Sequence, residues 1–134
     1  MVFTEKNYNE LSGQIIDACI EVHKELGPGL MESVYEVCLI SVLKKKNLKV
    51  QQQVSLPVVF KGEKLKKDFI IDILVEDKII LELKSLEAIL PVHEAQVVTY
   101  LKLSDKKLGL LINFNVPLLV QGIKRKINGN LNTV

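Results

Sequence analysis

Two cysteines are all the thiols this 134-residue chain carries, and its two histidines are just as sparse. Cys19 and Cys38 each sit in an apolar stretch with helical spacing, and no clustered Cys and His run of the kind that forms a zinc site surrounds them. That excludes a disulfide framework and a zinc-finger ligand pattern, and predicts buried thiols in a reducing compartment. His93-Glu94 has no second histidine four residues after His93, so a HExxH zinc site is excluded too. No apolar run is long enough to cross a bilayer, and MVFTEKNYNE at the start has no apolar signal core. The expectation is a cytoplasmic protein that does not insert in a membrane. Internal repeats, low-complexity tracts and linkers rich in Pro, Gly or Ser are also missing, which predicts a single domain over residues 1–134, ending in a frayed polar tail over 127–134. Excess charge is absent as well. Lys and Arg number 18 against 16 Asp and Glu, so any polyanion has to be met by local clustering of lysines.

What is present is an ordinary globular composition, 48% hydrophobic and 25% charged, in a chain long enough to bury roughly two thirds of its unfolded surface. From about Asn9 to Leu26 the residues Leu11, Ile15, Ala18, Cys19, Val22 and Leu26 recur at helical spacing, and Gly27-Pro28-Gly29 stops the run. A second helix is expected over about Met31 to Lys46, with Val34, Val37, Cys38 and Val42 inward and three lysines at its negative end. From Lys49 the period becomes two as far as Phe60, and Lys61-Gly62-Glu63 supplies a turn. Phe69 to Val75 and Ile79 to Leu83 read as a hairpin joined by Glu76-Asp77-Lys78. After Pro91 a helix is expected over Val92 to Leu103, followed by a strand buried on both faces over Leu108 to Phe114. The order is ααβββαβ, and Leu118 to Ile127 fits a further strand or a short helix equally well.

The hairpin carries the chemistry. A three-residue connection pairs Val75 with Ile79, and counting outward by three places Asp72 opposite Glu82. Two full charges about 5 Å apart at an effective dielectric near 20 repel by roughly 3 kcal/mol, so a pair kept there needs compensation. Lys84, two residues beyond Glu82, shares its strand face and supplies part of it. A hard divalent cation held by carboxylate oxygens would supply the rest, and two carboxylates with open positions is how magnesium is commonly bound. A solvated strand face with a Glu–Lys pair is the plain alternative, but the flanking Phe69-Ile70-Ile71 and Ile79-Ile80-Leu81 embed the acids in apolar sequence. Asp68, four residues upstream with the same strand parity, is the competing acid.

These residues resemble a known family. Gly29-Leu30-Met31-Glu32-Ser33-Val34-Tyr35 matches the motif of the small GxxExxY proteins of the PD-(D/E)XK nuclease superfamily. Asp72 with Glu82-Leu83-Lys84 is similar to the D…ExK core, and His93-Glu94-Ala95-Gln96 with Tyr100 resembles the following QxxxY helix; the likeness runs from about Tyr8 to Ile127. No proline precedes Asp72, and in this superfamily that position varies.

The resemblance implies a restriction-endonuclease-like α/β fold, an αβββαβ core with a mixed sheet flanked by helices and an extra helix at the N-terminus. It implies that Glu32, Asp72 and Glu82 with the carbonyl of Leu83 bind Mg2+ or Mn2+, and that Lys84 orients the attacking water or offsets charge on the phosphate. Gln96 and Tyr100 would contribute to the site or touch substrate, and His93 would support the site or the helix start. Core packing with a bonded hydroxyl serves Tyr35 and Tyr100 equally well. The implied substrate is DNA or RNA in a metal-dependent phosphodiesterase, met by Lys61, Lys64, Lys66 and Lys67 or by Lys124-Arg125-Lys126, for which plain solvated surface is the alternative reading. The alternatives are a nuclease-fold module that binds nucleic acid or a protein partner without turnover, and a hydrolase of other phosphate esters. A homodimer is left open.

Overall fold

The computed structural model describes residues 2–132. Chain entry is set by a reciprocal cap in which the Thr4 hydroxyl accepts from the Asn7 N–H at 3.2 Å while Asn7 Oδ1 accepts from the Thr4 N–H at 2.9 Å. This starts α1 (Glu5–Leu26) a turn earlier than the apolar pattern indicates. Leu11, Ile15, Ala18, Cys19 and Val22 are buried as their spacing predicts, and burial pushes the Cys19 thiol strongly up, leaving it inert.

The second helix, α2 (Glu32–Lys45), is where the expected face is wrong. Tyr35, Leu39, Ile40 and Leu43 are its buried residues, whereas Val34 and Val37 are 40% and 63% exposed, and Cys38 and Val42 are half-buried. Apolar residues occur nearly all round this helix, so periodicity does not select a face, and the larger side chains take the core. Its lysines do lie at the C-terminal end.

One five-stranded mixed sheet follows, in the order β1 (Val50–Phe60), β2 (Glu63–Val75), β3 (Ile79–Lys84), β4 (Leu108–Asn113), β5 (Ile123–Ile127). β3 and β4 run parallel and the other neighbours antiparallel, because α3 (Pro91–Ser104) carries the chain back between them. All of β4 is buried, as a central strand covered on both faces requires. The undecided segment turns out to hold both alternatives, a 3-10 turn over Leu119–Gly122 and then β5.

Two cores sandwich the sheet. On one face α1 and α2 pack on Ile73, Val75, Ile79, Leu81, Leu83, Leu110 and Ile112; on the other α3 packs on Leu56, Ile71, Leu74, Ile80 and Leu111. The α3 face is so close that a Cβ on Gly109 would come within 2.7 Å of Val97 Cγ1. Within the expected tail, Leu131 is buried, and Asn132 Oδ1 accepts from the Glu5 N–H at 2.9 Å. Residues 133–134 of that expected tail lie outside the described residues. No described helix is long and apolar enough to cross a membrane.

Candidate active site at a fork in the sheet

The hairpin count holds for Val75↔Ile79, Leu74↔Ile80 and Ile73↔Leu81, and there the β2–β3 pairing ends. Asp72 and Glu82 come next, and their side chains replace the ladder. The Asp72 N–H donates to Glu82 Oε1 at 3.1 Å, and the Leu83 N–H donates to Asp72 Oδ2 at 2.9 Å. The two carboxyl groups therefore wedge a fork between the strands, each held by a backbone donor of the other strand.

The opposite edge of β2 is disturbed at the same level. Gln52↔Ile73 and Val54↔Ile71 are paired, but Gln53 between them adopts φ 51°, a left-handed conformation costing about 1–2 kcal/mol outside glycine. The side-chain alternation changes phase here: Ile73 faces the α1–α2 core and Ile71, two residues away, the α3 core. Parity counted through Asp72 thus fails, and the competing acid falls with it. Asp68 is exposed opposite Pro57, on a part of β2 beyond the fork.

Burial and mutual charge set the electrostatics. Glu82, only 5% exposed, is pushed up to about 8, first by desolvation and then by the charge of Asp72, against the Asp72 N–H and Lys84, which favour its ionised form. Burial also raises Asp72; the Leu83 N–H opposes this, Glu36 and Glu32 add to it, and Lys84 counters them. At neutral pH without a cation the pair accordingly retains a proton, chiefly on Glu82. Lys84 is half-buried at the end of β3 and acts on both acids through its field, with no ion pair within 4.0 Å among the described residues.

Glu32 is presented from across a cavity of about 180 Å³ lined by Glu32, Ser33, Glu36, Gln53, Asp72 and Leu83. The surrounding motif explains its placement. Gly29 takes φ 89°, and the wholly buried Tyr35 donates its hydroxyl to the Gly27 carbonyl at 2.6 Å while accepting from the Leu30 N–H at 3.1 Å. Its ring stacks on Phe114, centroids 4.4 Å apart. Tyr35 is a packed core residue that closes the turn before α2, and Glu32, first in that helix, is exposed.

Glu36, Gln53 and Asn113 escaped the sequence reading. Glu36, four residues after Glu32 and so on the same helix face, borders the same cavity and accepts from Gln53 Nε2 at 2.7 Å and Gln52 Nε2 at 3.3 Å. The i, i+4 spacing from Glu32 was the available signal. The buried Asn113 holds the loop after Lys84: Oδ1 accepts from the Leu86 N–H at 3.0 Å and Nδ2 donates to the Leu86 carbonyl at 2.9 Å.

α3 supplies the remaining residues from the other face. Tyr100 is buried against Phe69, its hydroxyl accepts from Gln96 Nε2 at 2.9 Å, and burial followed by the charges of Glu82 and Asp72 raises its pKa. Gln96 is exposed, and neither residue lines the Glu32 cavity. His93 starts the helix, its Nδ1 accepting from the Leu90 N–H at 2.9 Å.

A family model describing the PD-(D/E)XK nuclease superfamily matches residues 9–126, and the chain belongs to that superfamily. Three α-helices and a five-stranded mixed sheet among the described residues make this a restriction-endonuclease-like α/β fold. No curated protein and no solved structure matches the chain. Nucleases of this superfamily generally use divalent metals, and the donor set at the fork, carboxylate oxygens whose ionised forms are disfavoured by burial and by each other, is the chemistry a hard cation relieves. The expected convergence is only partly made. Among the described residues no three Asp, Glu, His or Cys side chains stand together as a ready metal cage; Asp72 and Glu82 meet, and Glu32 borders the cavity from α2.

Proposed function

We propose that this chain is a metal-dependent nuclease of the GxxExxY type, hydrolysing phosphodiester bonds of nucleic acid at the β2–β3 fork. The observation that carries this is the pair Asp72 and Glu82, interlocked through each other's backbone at the fork and flanked by Lys84, in a chain of the PD-(D/E)XK superfamily.

Asp72 and Glu82 would hold Mg2+ or Mn2+, with the Leu83 backbone beside them and Glu32 reaching from across the cavity. A cation bound there supplies Lewis acidity and neutralises charge developing on the phosphoryl oxygens. Glu82 must give up the proton it holds in the metal-free protein before it can act as a ligand, which makes loading favour alkaline pH. Lys84, tethered at the end of β3 and half-buried, places an ammonium at the site's edge to steer the attacking water and offset charge on the phosphate. Gln96 fixes the Tyr100 hydroxyl near the acids from the α3 side.

The test is cleavage of single- and double-stranded DNA and RNA with magnesium or manganese, beside the Lys84→Ala protein. Metal-dependent cleavage lost in Lys84→Ala is the expected result. Equal activity in that variant would assign the cleavage to a contaminant, and binding without cleavage would make the protein a non-catalytic nuclease-fold module.

A further inference from the structure

β1 and β2 do not end where the sheet does. β3 pairs with β2 only over Ile73–Val75, yet β1–β2 pairing continues to Phe60↔Glu63, so the two strands leave the body as a ribbon without a third strand. Every residue from Val59 to Asp68 is exposed. Lys61 and Gly62 make the tip, with φ of 51° and 78°, as a two-residue hairpin turn requires. At about 3.3 Å per residue, Lys67 stands roughly 16 Å and the tip roughly 33 Å from Asp72 along the strand.

The ribbon's composition departs from that of a solvated hairpin. It carries Lys61, Lys64, Lys66 and Lys67 against Glu63 and Asp68, and none of these lysines has an ion pair among the described residues. Between Val59↔Lys64 and Pro57↔Asp68 the single Val58 faces Leu65, Lys66 and Lys67, a bulge that carries two of the lysines outside the regular ladder. Apolar groups accompany them at the tip, with Val59 52% and Phe60 60% exposed and Lys61 over the Phe60 ring. In the other basic run two of the three cations already have partners on the protein: Arg125 donates to Asn9 Oδ1 at 2.7 Å and Lys126 pairs with Glu94 at 2.5 Å.

We propose that this β1–β2 ribbon is a DNA-gripping arm that enters the major groove of a B-form duplex beside the fork; this rests on the nuclease reading only for the identity of the site it flanks. The groove of B-DNA, about 12 Å wide, admits a two-stranded ribbon, whereas the deep, narrow major groove of A-form RNA does not. The lysines meet phosphates on either wall, and Phe60 and Val59 supply apolar contact to base edges such as thymine methyl groups. Duplex DNA is thereby named as the substrate class over duplex RNA.

The experiment measures binding of the full chain in EDTA to a labelled DNA duplex of three helical turns and to the RNA duplex of the same sequence, at several salt concentrations. The variants are the triple Lys64→Ala, Lys66→Ala, Lys67→Ala and, separately, Phe60→Ala. Wild type should bind DNA at least tenfold more tightly than RNA. The triple variant should lose at least tenfold in DNA affinity, with its log K against log salt slope shallower by about 0.9 for each phosphate contact removed. Phe60→Ala should weaken binding and leave that slope alone, which separates groove contact from loss of charge. Unchanged DNA affinity in the triple variant, or a preference for RNA, overturns the arm. Cleavage by wild type with manganese is assayed separately. Arm-dependent binding by a protein that never cleaves supports the arm and ends the nuclease reading, and arm-independent binding by a protein that cleaves does the reverse.

Discussion

Asp72 and Glu82 are held in place by backbone donors that an amide would also satisfy, so charge can be removed from the fork without removing its hydrogen bonds. Asp72→Asn should therefore leave the stability of the metal-free protein unchanged or higher, by up to about 1 kcal/mol, because a desolvated charge facing Glu36 and Glu32 is removed. Manganese should stabilise wild type by about 2.7 kcal/mol when the free ion exceeds its dissociation constant a hundredfold, and the variant much less. Thermal melts with EDTA and with manganese make the comparison; a strongly destabilised Asp72→Asn whose melt, like that of wild type, ignores manganese would make Asp72 a structural acid. Tyr35 is the opposite kind of residue. Its hydroxyl satisfies the Gly27 carbonyl and the Leu30 N–H, so Tyr35→Phe should cost about 1–3 kcal/mol in a denaturant melt. An unchanged midpoint would show that the turn before Glu32 closes without it.

Helix α3 and strand β4 meet through a missing side chain. With Val97 Cγ1 only 2.7 Å from where a Gly109 Cβ would sit, Gly109→Ala forces the helix off the sheet or Val97 into another rotamer. The expected loss is about 1–3 kcal/mol in a urea melt. Since α3 also carries Gln96 and Tyr100, cleavage should fall with it, and a variant as stable as wild type would show that this packing has slack. The element that behaves least like its sequence is α2, whose apolar residues cover too much of its circumference to reveal a face. Only packing against Phe114 and α1 selects Tyr35, Leu39 and Leu43 as the inner row. Glu32 and Glu36 are carried to the cavity by that same rotation.

For the molecule as a whole, the fork makes metal-free stability depend on pH. Glu82 ordinarily titrates near 4.5, and in the fold it does so at about 8, so the folded state binds a proton that the unfolded chain has already released. Stability from this group is complete below about pH 4.5 and is lost as pH rises to about 8, with Asp72 adding in the same direction. Asp77 and Glu94, lowered by Lys106 and Lys126, pull the other way, but both are surface pairs of small weight. Unfolding in EDTA from pH 5 to 8 should show the decline, and Glu82→Gln should flatten it. A wild-type profile that rises over this window would mean that Glu82 is ionised in the fold.

How much of this was legible without coordinates follows from the range of the interactions. The local patterns were enough for the three helices, the first four strands in chain order, the hairpin register through Ile73↔Leu81 and the acids beside it, because helical spacing, strand alternation and a three-residue turn act over a few residues. The superfamily was legible in the run of motifs from Gly29 to Tyr100, and the family match over residues 9–126 agrees with it. Contacts between elements distant in the chain decided the rest. They selected the buried row of α2, docked the chain end through Leu131 and Asn132, and brought Glu36 and Gln53 to the site. They also interrupted the alternation of β2 at Asp72, where carboxylates take the place of ladder bonds and Gln53 turns left-handed. Alternation is a rule about a strand with partners on its ladder, and at the fork β2 exchanges those partners for side chains, so its phase there could come only from the assembled sheet.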